Sequence, residues 1–154
     1  MIRVERDPAF WERVASHPAV EPTLLGMDPA AVGRIASDAA VLPLAGAHGG
    51  FLFLRRDEAG VVCELHSLFT PEGWGREALL AGILAIEAVW ITGYQAVTTF
   101  EALVNPRSRP PRTFGFARAG DWRESPIGPL RLWILSRQAW DASPAKRRSV
   151  CPLP

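Results

Sequence analysis

The chain has 154 residues, of which 48% are hydrophobic and 21% are charged, so it can build an apolar core without help from a metal or a disulfide. Its length favours a single domain. The formal net charge of +1 gives no global electrostatic reason to bind nucleic acid or a membrane surface, and we expect neither partner. The two cysteines, Cys63 and Cys151, have no spacing typical of a metal site, and a disulfide between an apolar strand and the C-terminal segment is not expected.

The N-terminal residues MIRVERDPAF carry charges where a signal peptide needs an apolar run. No apolar stretch reaches the roughly 18 residues of a membrane span. The sequence therefore predicts a cytoplasmic protein.

The N-terminal third predicts two short helices between strands. Asp7-Pro8 and Asp28-Pro29 each place a capping aspartate before a proline at the first helical position. Helices are therefore expected from Pro8 to about Ser16 and over Ala30–Ala36, with an irregular segment between them. Compact or alternating apolar runs predict four strands: Ile2–Arg6, Ala39–Leu44, Phe51–Arg55 and Val61–Phe69.

The strand Val61–Phe69 leads into the most informative part of the chain. Glu64 and His66 share one face of this strand, about 7 Å apart along it. The sequence Gly73-Trp74-Gly75 follows, and apolar positions then recur every three or four residues up to Trp90, which predicts a long helix. Paired glycines between a strand and a helix expose backbone N–H groups, which suits a phosphate. Alternatively, the glycines only make a tight turn.

The C-terminal half predicts three more strands, over Gln95–Phe100, Gly115–Trp122 and Leu130–Leu135. Asn105–Arg112 contains three prolines and cannot form a regular long helix. Its arginines, Arg107, Arg109 and Arg112, form a basic loop that either receives an acidic substrate or is a solvated surface. We expect a domain over residues 1–140 and a loose, basic, proline-containing tail over residues 141–154.

These elements predict an α/β fold with a mixed, mostly antiparallel sheet of six or seven strands and helices on both faces. The long helix connects the strand before it to the strand after it, and such a crossover requires that these two strands are parallel.

The order of elements resembles the fold of the GNAT acyltransferases, whose members transfer an acyl group from coenzyme A to an amine. Gly73-Trp74-Gly75 occupies the position of the family's Q/R-x-x-G-x-G/A signature. Asn105 after the next strand and Gly115-Phe116 about ten residues later match two further family positions. The small size and the wording LFTPEGWGRE are also similar to short GNAT-like proteins of bacteriophages.

The resemblance implies acetyl-CoA or coenzyme A as cofactor, no metal, and a primary amine of a small molecule or protein as acceptor. Glu64 or His66 would deprotonate the amine, since an ammonium group with a pKa near 10.4 cannot attack a thioester. Backbone groups at positions 68–70 would bind the pantetheine arm, and the turn with Arg76 would bind the pyrophosphate. The full set of implied cofactor residues is Leu68, Phe69, Thr70, Gly73, Trp74, Gly75, Arg76 and Asn105.

Two departures from the family pattern favour an alternative. Thr70 stands in the Q/R position of the signature, and no tyrosine lies between Asn105 and Gly115, where the family often has one that protonates the leaving thiolate. Ser67 and Ser108 carry hydroxyl groups that can in principle protonate the thiolate, but nothing in the sequence marks either of them for this role. The alternative is a catalytically inactive protein that keeps this fold and binds a partner, for example a viral protein that interacts with its host. The sequence does not identify the acceptor or the length of the acyl chain. It also does not decide the oligomeric state, for which a homodimer is one candidate.

Overall fold

The computed structural model describes residues 1–150 as a mixed α/β protein. Seven strands form one sheet in the order β1-β2-β3-β4-β5-β7-β6. They are β1 (Arg3–Val4), β2 (Val41–Ala45), β3 (Gly49–Arg55), β4 (Val62–Phe69), β5 (Ala96–Ala102), β6 (Ala117–Arg118) and β7 (Leu130–Ser136). The α-helices are α1 (Pro8–Ala15), α2 (Pro29–Ser37), α3 (Arg76–Ile91), α4 (Arg137–Asp141) and α5 (Pro144–Val150).

The two predicted helix starts are confirmed. The Asp7 side chain accepts a hydrogen bond from the Ala9 N–H at 2.9 Å, and the Asp28 side chain accepts one from the Ala30 N–H at 3.1 Å. Each aspartate thereby bonds one of the N–H groups that a helix leaves unpaired at its start.

The sheet is mostly antiparallel, as predicted. The pairs β1–β2, β2–β3, β5–β7 and β6–β7 are antiparallel. Where β4 begins, its neighbour is β5 and the two strands run in the same direction. The N–H groups of Gln95 and Ala96 donate to the Val61 carbonyl, and the Thr98 hydroxyl donates to the Cys63 carbonyl. The numbers of the bonded residues rise along both segments at once, as they do in parallel strands. The helix α3 is therefore the crossover that the sequence predicts.

The chain forms two compact units. The first unit comprises Met1–Arg55 and Glu64–Ala88. Its core includes Phe10 and Trp11 of α1, whose rings meet edge to face at 5.4 Å. The helices α1 and α2 approach so closely that a Cβ on Gly33 would lie 2.6 Å from the Pro8 carbonyl oxygen. A glycine is therefore required at this crossing.

The second unit comprises Arg56–Cys63 and the chain from Val89 onward. Here Phe114 packs against the buried Trp140 with ring centroids 5.5 Å apart. The sequence predicts a strand over Gly115–Trp122, but in the structure only the two residues of β6 are extended and paired. Gly115 and Gly120 flank it with φ angles of 87° and 110°, which turn the chain away from the extended conformation on both sides.

The predicted loose tail is wrong for the segment 144–150, which forms α5. Its start repeats the signal used at Asp7-Pro8, because the Ser143 side chain caps the Lys146 N–H at 3.1 Å and Pro144 occupies the first helical position. Ala145 is buried. Cys151, Pro152 and Pro154 lie outside the described residues. Within residues 1–150, no helix combines the length and apolar character needed to cross a membrane.

Candidate functional site

The predicted phosphate turn joins β4 to α3 within the first unit. After Phe69 the chain makes a short 3₁₀-helix over Pro71–Gly73, and α3 begins at Arg76. Between them, Gly75 has a φ angle of 80°, and a Cβ added there would meet no atom within 4 Å. This glycine supplies the left-handed conformation that lets the chain enter the helix while its surroundings stay open.

The start of α3 presents unpaired backbone donors. The first helical bond runs from the Leu79 N–H to the Gly75 carbonyl at 3.0 Å. In the described part of the chain, the N–H groups of Gly75, Arg76, Glu77 and Ala78 have no protein acceptor. All four residues are exposed or half-buried. A helix of this length carries about half a positive charge at its N-terminus, so this end can bind an anion such as a phosphate.

Gly73 has a different role from the one the sequence predicts. It is buried, and a Cβ would lie 2.9 Å from the His48 Cβ and 3.0 Å from Phe69 Cδ1. The missing side chain therefore lets the turn pack against the loop before β3 and against the end of β4. Of the two glycines in the turn, only Gly75 faces open space.

The residues at the end of β4 are engaged with the protein. The Thr70 N–H bonds the His48 carbonyl at 2.9 Å, and the indole N–H of Trp74 bonds the Phe69 carbonyl at 2.9 Å. Leu68 is buried in the core of the first unit. Thr70 consequently has no free N–H to offer a ligand, whereas the Trp74 indole, 40% exposed, presents a ring to solvent.

The Thr70 hydroxyl is also used locally. It donates a hydrogen bond to the exposed Glu72 carboxylate, and together with the N–H of Glu72 itself it holds the pKa of that carboxyl below its usual value. A threonine in this position of the signature thus organises the turn through its neighbour two residues later.

The structure brings Glu64 and His66 together on β4, as the strand pattern predicts. His66 Nε2 lies 2.6 Å from Glu64 Oε1. The Glu64 side chain is 10% exposed, whereas that of His66 is 46% exposed. With its proton on Nε2, the imidazole donates to the carboxylate and keeps a lone pair on Nδ1 that can accept a proton.

A cleft of about 500 Å³ lies beside the N-terminal half of α3 in the first unit. Its lining is mostly apolar, with one arginine and one glutamate from the start of the helix. The lining residues are Met1, Gly46, Ala47, Arg76, Glu77, Leu80, Ala81 and Leu84. Leu80 and Leu84 stand one helical turn apart on α3 and are 44% and 48% exposed, so two large apolar side chains of the lining face solvent.

In the second unit, Asn105 and Ser108 build the loop after β5. The Asn105 side chain accepts a hydrogen bond from the Arg107 N–H at 3.2 Å and caps a 3₁₀-helix over Pro106–Ser108. The Ser108 hydroxyl donates to the Asn105 carbonyl at 2.6 Å and accepts from the Ala102 N–H at 2.7 Å. Both side chains therefore serve the loop itself.

Sequence reasoning missed a buried acid in the second unit. Glu101 is 7% exposed, and its Oε2 accepts hydrogen bonds from Arg131 Nε at 3.2 Å, Arg131 Nη2 at 2.9 Å and Trp133 Nε1 at 2.8 Å. Burial alone would raise the pKa of Glu101, but these bonds and the charges of Arg131 and Arg109 outweigh burial and hold the pKa below its usual value. The signal was a glutamate and an arginine inside apolar strands, which require partners when buried.

Cys63 is not a candidate nucleophile. It is fully buried, and burial raises the pKa of its thiol to about 12, so the reactive thiolate is scarce at neutral pH. Among the described residues, no group of three histidine, cysteine, aspartate or glutamate side chains is arranged to hold a metal ion.

No protein-family model and no curated protein matches the sequence. Solved structures do match the fold. An aminoglycoside acetyltransferase in complex with coenzyme A is 15% identical, with a TM-score of 0.68 over 92% of this chain and 97% of that one. A spermidine N-acetyltransferase from Vibrio cholerae is 13% identical, with a TM-score of 0.67 over 91% and 96%.

A probable acetyltransferase of the GNAT family from Chromobacterium violaceum is 16% identical, with a TM-score of 0.65 over 90% of this chain and 86% of that one. At such low sequence identities, the similarity is one of backbone fold, and it extends over nine-tenths of this chain. The chain therefore has the fold of the GNAT acetyltransferases.

Proposed function

We propose that this protein is an acyl-CoA-dependent N-acyltransferase that moves an acetyl group from acetyl-CoA to a primary amine of a small molecule or protein. The observation that carries the proposal is the set of four unpaired N–H groups at the start of α3. They lie in a chain whose fold matches, over 92% of its length, a protein bound to coenzyme A.

In this proposal the N–H groups of residues 75–78 bind the pyrophosphate of coenzyme A. Gly75 keeps the approach open, and the exposed Arg76 guanidinium adds a positive charge. The exposed face of Trp74 packs on the cofactor. The Phe69 carbonyl accepts a hydrogen bond from the Trp74 indole, and the N–H and carbonyl of Asn105 are bonded within their own loop, so we assign neither residue a contact with the cofactor.

His66 accepts the proton of the amine, and Glu64 holds the imidazole. The neutral amine nitrogen attacks the thioester carbon, so that a C–N bond forms and the C–S bond breaks. His66 Nδ1 takes the proton that the ammonium group must lose before attack, and after attack the nitrogen passes its second proton through water to the departing thiolate. The exposed ring above a buried carboxylate supports this assignment, because the carboxylate stabilises the imidazolium that forms.

One observation favours the inactive alternative. Ser108, a substitute for the absent tyrosine, uses its hydroxyl both as donor and as acceptor within its own loop. A non-catalytic interaction protein with this fold would not need an acid to protonate the thiolate, whether or not it bound the cofactor. A cytoplasmic location and the narrower likeness to bacteriophage proteins remain parts of the proposal that rest on the sequence alone.

Two variants of one residue test the cofactor site. Arg76→Ala removes only the side chain, whereas Arg76→Pro also removes one N–H, at a helical position where proline is tolerated. Acetyl-CoA at a hundred times its dissociation constant should stabilise the wild type by about 2.7 kcal/mol. We expect a smaller stabilisation for Arg76→Ala and the smallest for Arg76→Pro. No thermal shift of the wild type at millimolar acetyl-CoA would remove the cofactor from the proposal.

Thioester consumption over a panel of amines tests the reaction. Glu64→Gln should lower turnover by about a hundredfold or more and leave the affinity for acetyl-CoA near normal. Glu12→Gln, the same change at an exposed position of α1, is the control. Equal turnover in both variants would exclude Glu64 from the mechanism. A thermal shift without thioester consumption by any amine would favour the inactive alternative.

A further inference from the structure

The two compact units of the chain carry opposite charges. The first unit has six arginines and ten acidic residues, whereas the second has eleven arginines and lysines and six acidic residues. The formal charges are therefore −4 for the first unit and +5 for the second, although the whole chain has a net charge of only +1. The second unit thus attracts anions by itself.

Three arginines of the second unit lie around one tryptophan and, with a glutamate, form a group that we call the Trp133 cluster: Arg109, Arg118, Arg131, Glu101 and Trp133. The Arg109 Cζ lies 5.4 Å from the centroid of the Trp133 ring, and the Arg131 Cζ lies 5.8 Å from it. At both distances a guanidinium is attracted to an aromatic face. Arg118 pairs with Trp133 across β6 and β7, so the two side chains leave the sheet on the same face, with Cβ atoms about 4.5–5.5 Å apart.

The centre of the Trp133 cluster is held in place by Glu101. Its Oε2 accepts hydrogen bonds from Trp133 Nε1 at 2.8 Å and from Arg131 Nε and Nη2 at 3.2 and 2.9 Å. The side chains of Arg131 and Glu101 are 13% and 9% exposed. The acid of the cluster is therefore paired with Arg131, and the tryptophan ring has a fixed orientation.

The other two arginines of the cluster keep free guanidinium groups. Arg109 and Arg118 are both exposed, and within residues 1–150 neither side chain forms an ion pair or a hydrogen bond. The loop that carries Arg109 is restrained, because the Arg109 N–H bonds the Pro106 carbonyl and Pro110 follows. Three arginines and one glutamate give the cluster a formal charge of +2.

We propose that Arg109 and Arg118 bind the phosphate group of a phosphate monoester. Such a group carries about two negative charges at pH 7 and three acceptor oxygens, which matches two free guanidinium groups in charge and in hydrogen bonding. The planar fork of arginine can pair with two phosphate oxygens at once. The site lies wholly within the second unit and does not depend on the acyl transfer proposed above, so an inactive protein with this fold would also have it.

Methyl phosphate and dimethyl phosphate are matched probes, because the second methyl group removes one negative charge. In NMR titrations of the full chain at about pH 7, we expect methyl phosphate to cause saturable shifts of the Nε–H resonances of Arg109 and Arg118. Dimethyl phosphate should bind at least about tenfold more weakly, since it makes fewer charge-assisted hydrogen bonds. No saturable binding of methyl phosphate, or equal binding of both probes, would overturn the proposal.

Arg118→Ala is the decisive variant, because the Arg118 side chain has no partner among the described residues and its removal leaves the packing intact. Arg118→Ala and Arg109→Ala should each weaken binding of methyl phosphate at least about tenfold. The first variant keeps the test valid if the second disturbs the ring of Trp133.

Arg123→Ala is the matched control. Arg123 is also exposed and belongs to the same unit, but it pairs with Leu130, whose side chain points to the opposite face of β7 from Trp133. Its removal should weaken binding by less than about threefold. An equal loss in Arg123→Ala and Arg118→Ala would mean that only the overall charge matters and would overturn the site.

Competition against methyl phosphate identifies the molecule that carries the phosphate. Displacement by coenzyme A but not by dephospho-coenzyme A would support the site and assign it to the cofactor, whereas displacement by neither would support a separate phosphorylated ligand. A single-stranded DNA oligonucleotide without terminal phosphates contains only diesters. If it bound the cluster more tightly than methyl phosphate, the surface would be one for nucleic acid and the monoester proposal would be overturned. Failure of the proposed acyl transfer would leave all of these titrations unchanged.

Discussion

The replacement Glu101→Gln tests how the second unit is held together. Glutamine has nearly the same shape and keeps one carbonyl acceptor, but it lacks the charge that compensates Arg131. Two of the three hydrogen bonds to Glu101 come from that guanidinium, at 3.2 and 2.9 Å. Hydrogen bonds to charged groups contribute about 1.5–3 kcal/mol each. Because one acceptor remains, we expect a loss of about 2 kcal/mol, or about 4–8 °C in Tm for a chain of this length.

Urea denaturation at several pH values would measure this loss and its origin. The pKa of Glu101 lies below its ordinary value of 4.5 in the folded protein. Its contribution to stability is therefore complete above the unfolded pKa and is lost as the pH falls through the folded pKa. The difference between the wild type and Glu101→Gln should be constant near pH 7 and should shrink as the pH falls below about 4.5.

Glu124→Gln is the control, because it makes the same chemical change at an exposed position of the same unit. It should change stability by less than about 0.5 kcal/mol. The reasoning would be refuted if Glu101→Gln cost no more than this control at pH 7. It would also be refuted if the cost persisted unchanged in acid, since the effect would then not depend on the charge of the carboxylate.

Three further outcomes follow from close approaches and burial. Gly33→Ala should destabilise the protein by about 1–3 kcal/mol in urea denaturation, because its Cβ would lie 2.6 Å from the Pro8 carbonyl oxygen and the α1–α2 crossing would have to open; stability equal to the wild type would contradict this. Gly73→Ala should cost about 1 kcal/mol or more by the same assay, since its Cβ would lie 2.9 Å from the His48 Cβ. Cys63, with a pKa of about 12, should resist iodoacetamide at about pH 8 until urea unfolds the protein, and peptide mass spectrometry would detect any labelling of the native state.

Most element positions could be predicted from the sequence, because their signals are local. Asp7-Pro8 and Asp28-Pro29 identified the starts of α1 and α2 within the residues that form the caps. Ser143-Pro144 carried the same signal, yet the polar, basic composition around it led to the prediction of a loose tail. The limits of β6 were missed because the positive φ angles of Gly115 and Gly120 belong to turns that the sequence does not mark as such.

The candidate site was predictable in part. The Glu64–His66 pair follows from the period of a strand, which places residues two apart on one face. The opposite roles of Gly73 and Gly75 do not follow from the strand period. His48 and Phe69 lie close to Gly73, whereas a Cβ on Gly75 would meet no atom within 4 Å. The packing of Arg109 on Trp133 and of Arg131 on Trp122 was equally hidden, because these residues come from three separated segments of the chain.

The sequence by itself determined the order of helices and strands, the strand–turn–helix crossover and hence the class of fold, because capping, periodicity and turn chemistry act between residues near each other in the chain. The tertiary structure alone decided which donors stay unpaired at the start of α3, which hydroxyls are consumed by their own loops, and which arginine of the basic loop lies against a tryptophan. These outcomes depend on contacts between residues far apart in sequence, and no local pattern records the distance between such residues.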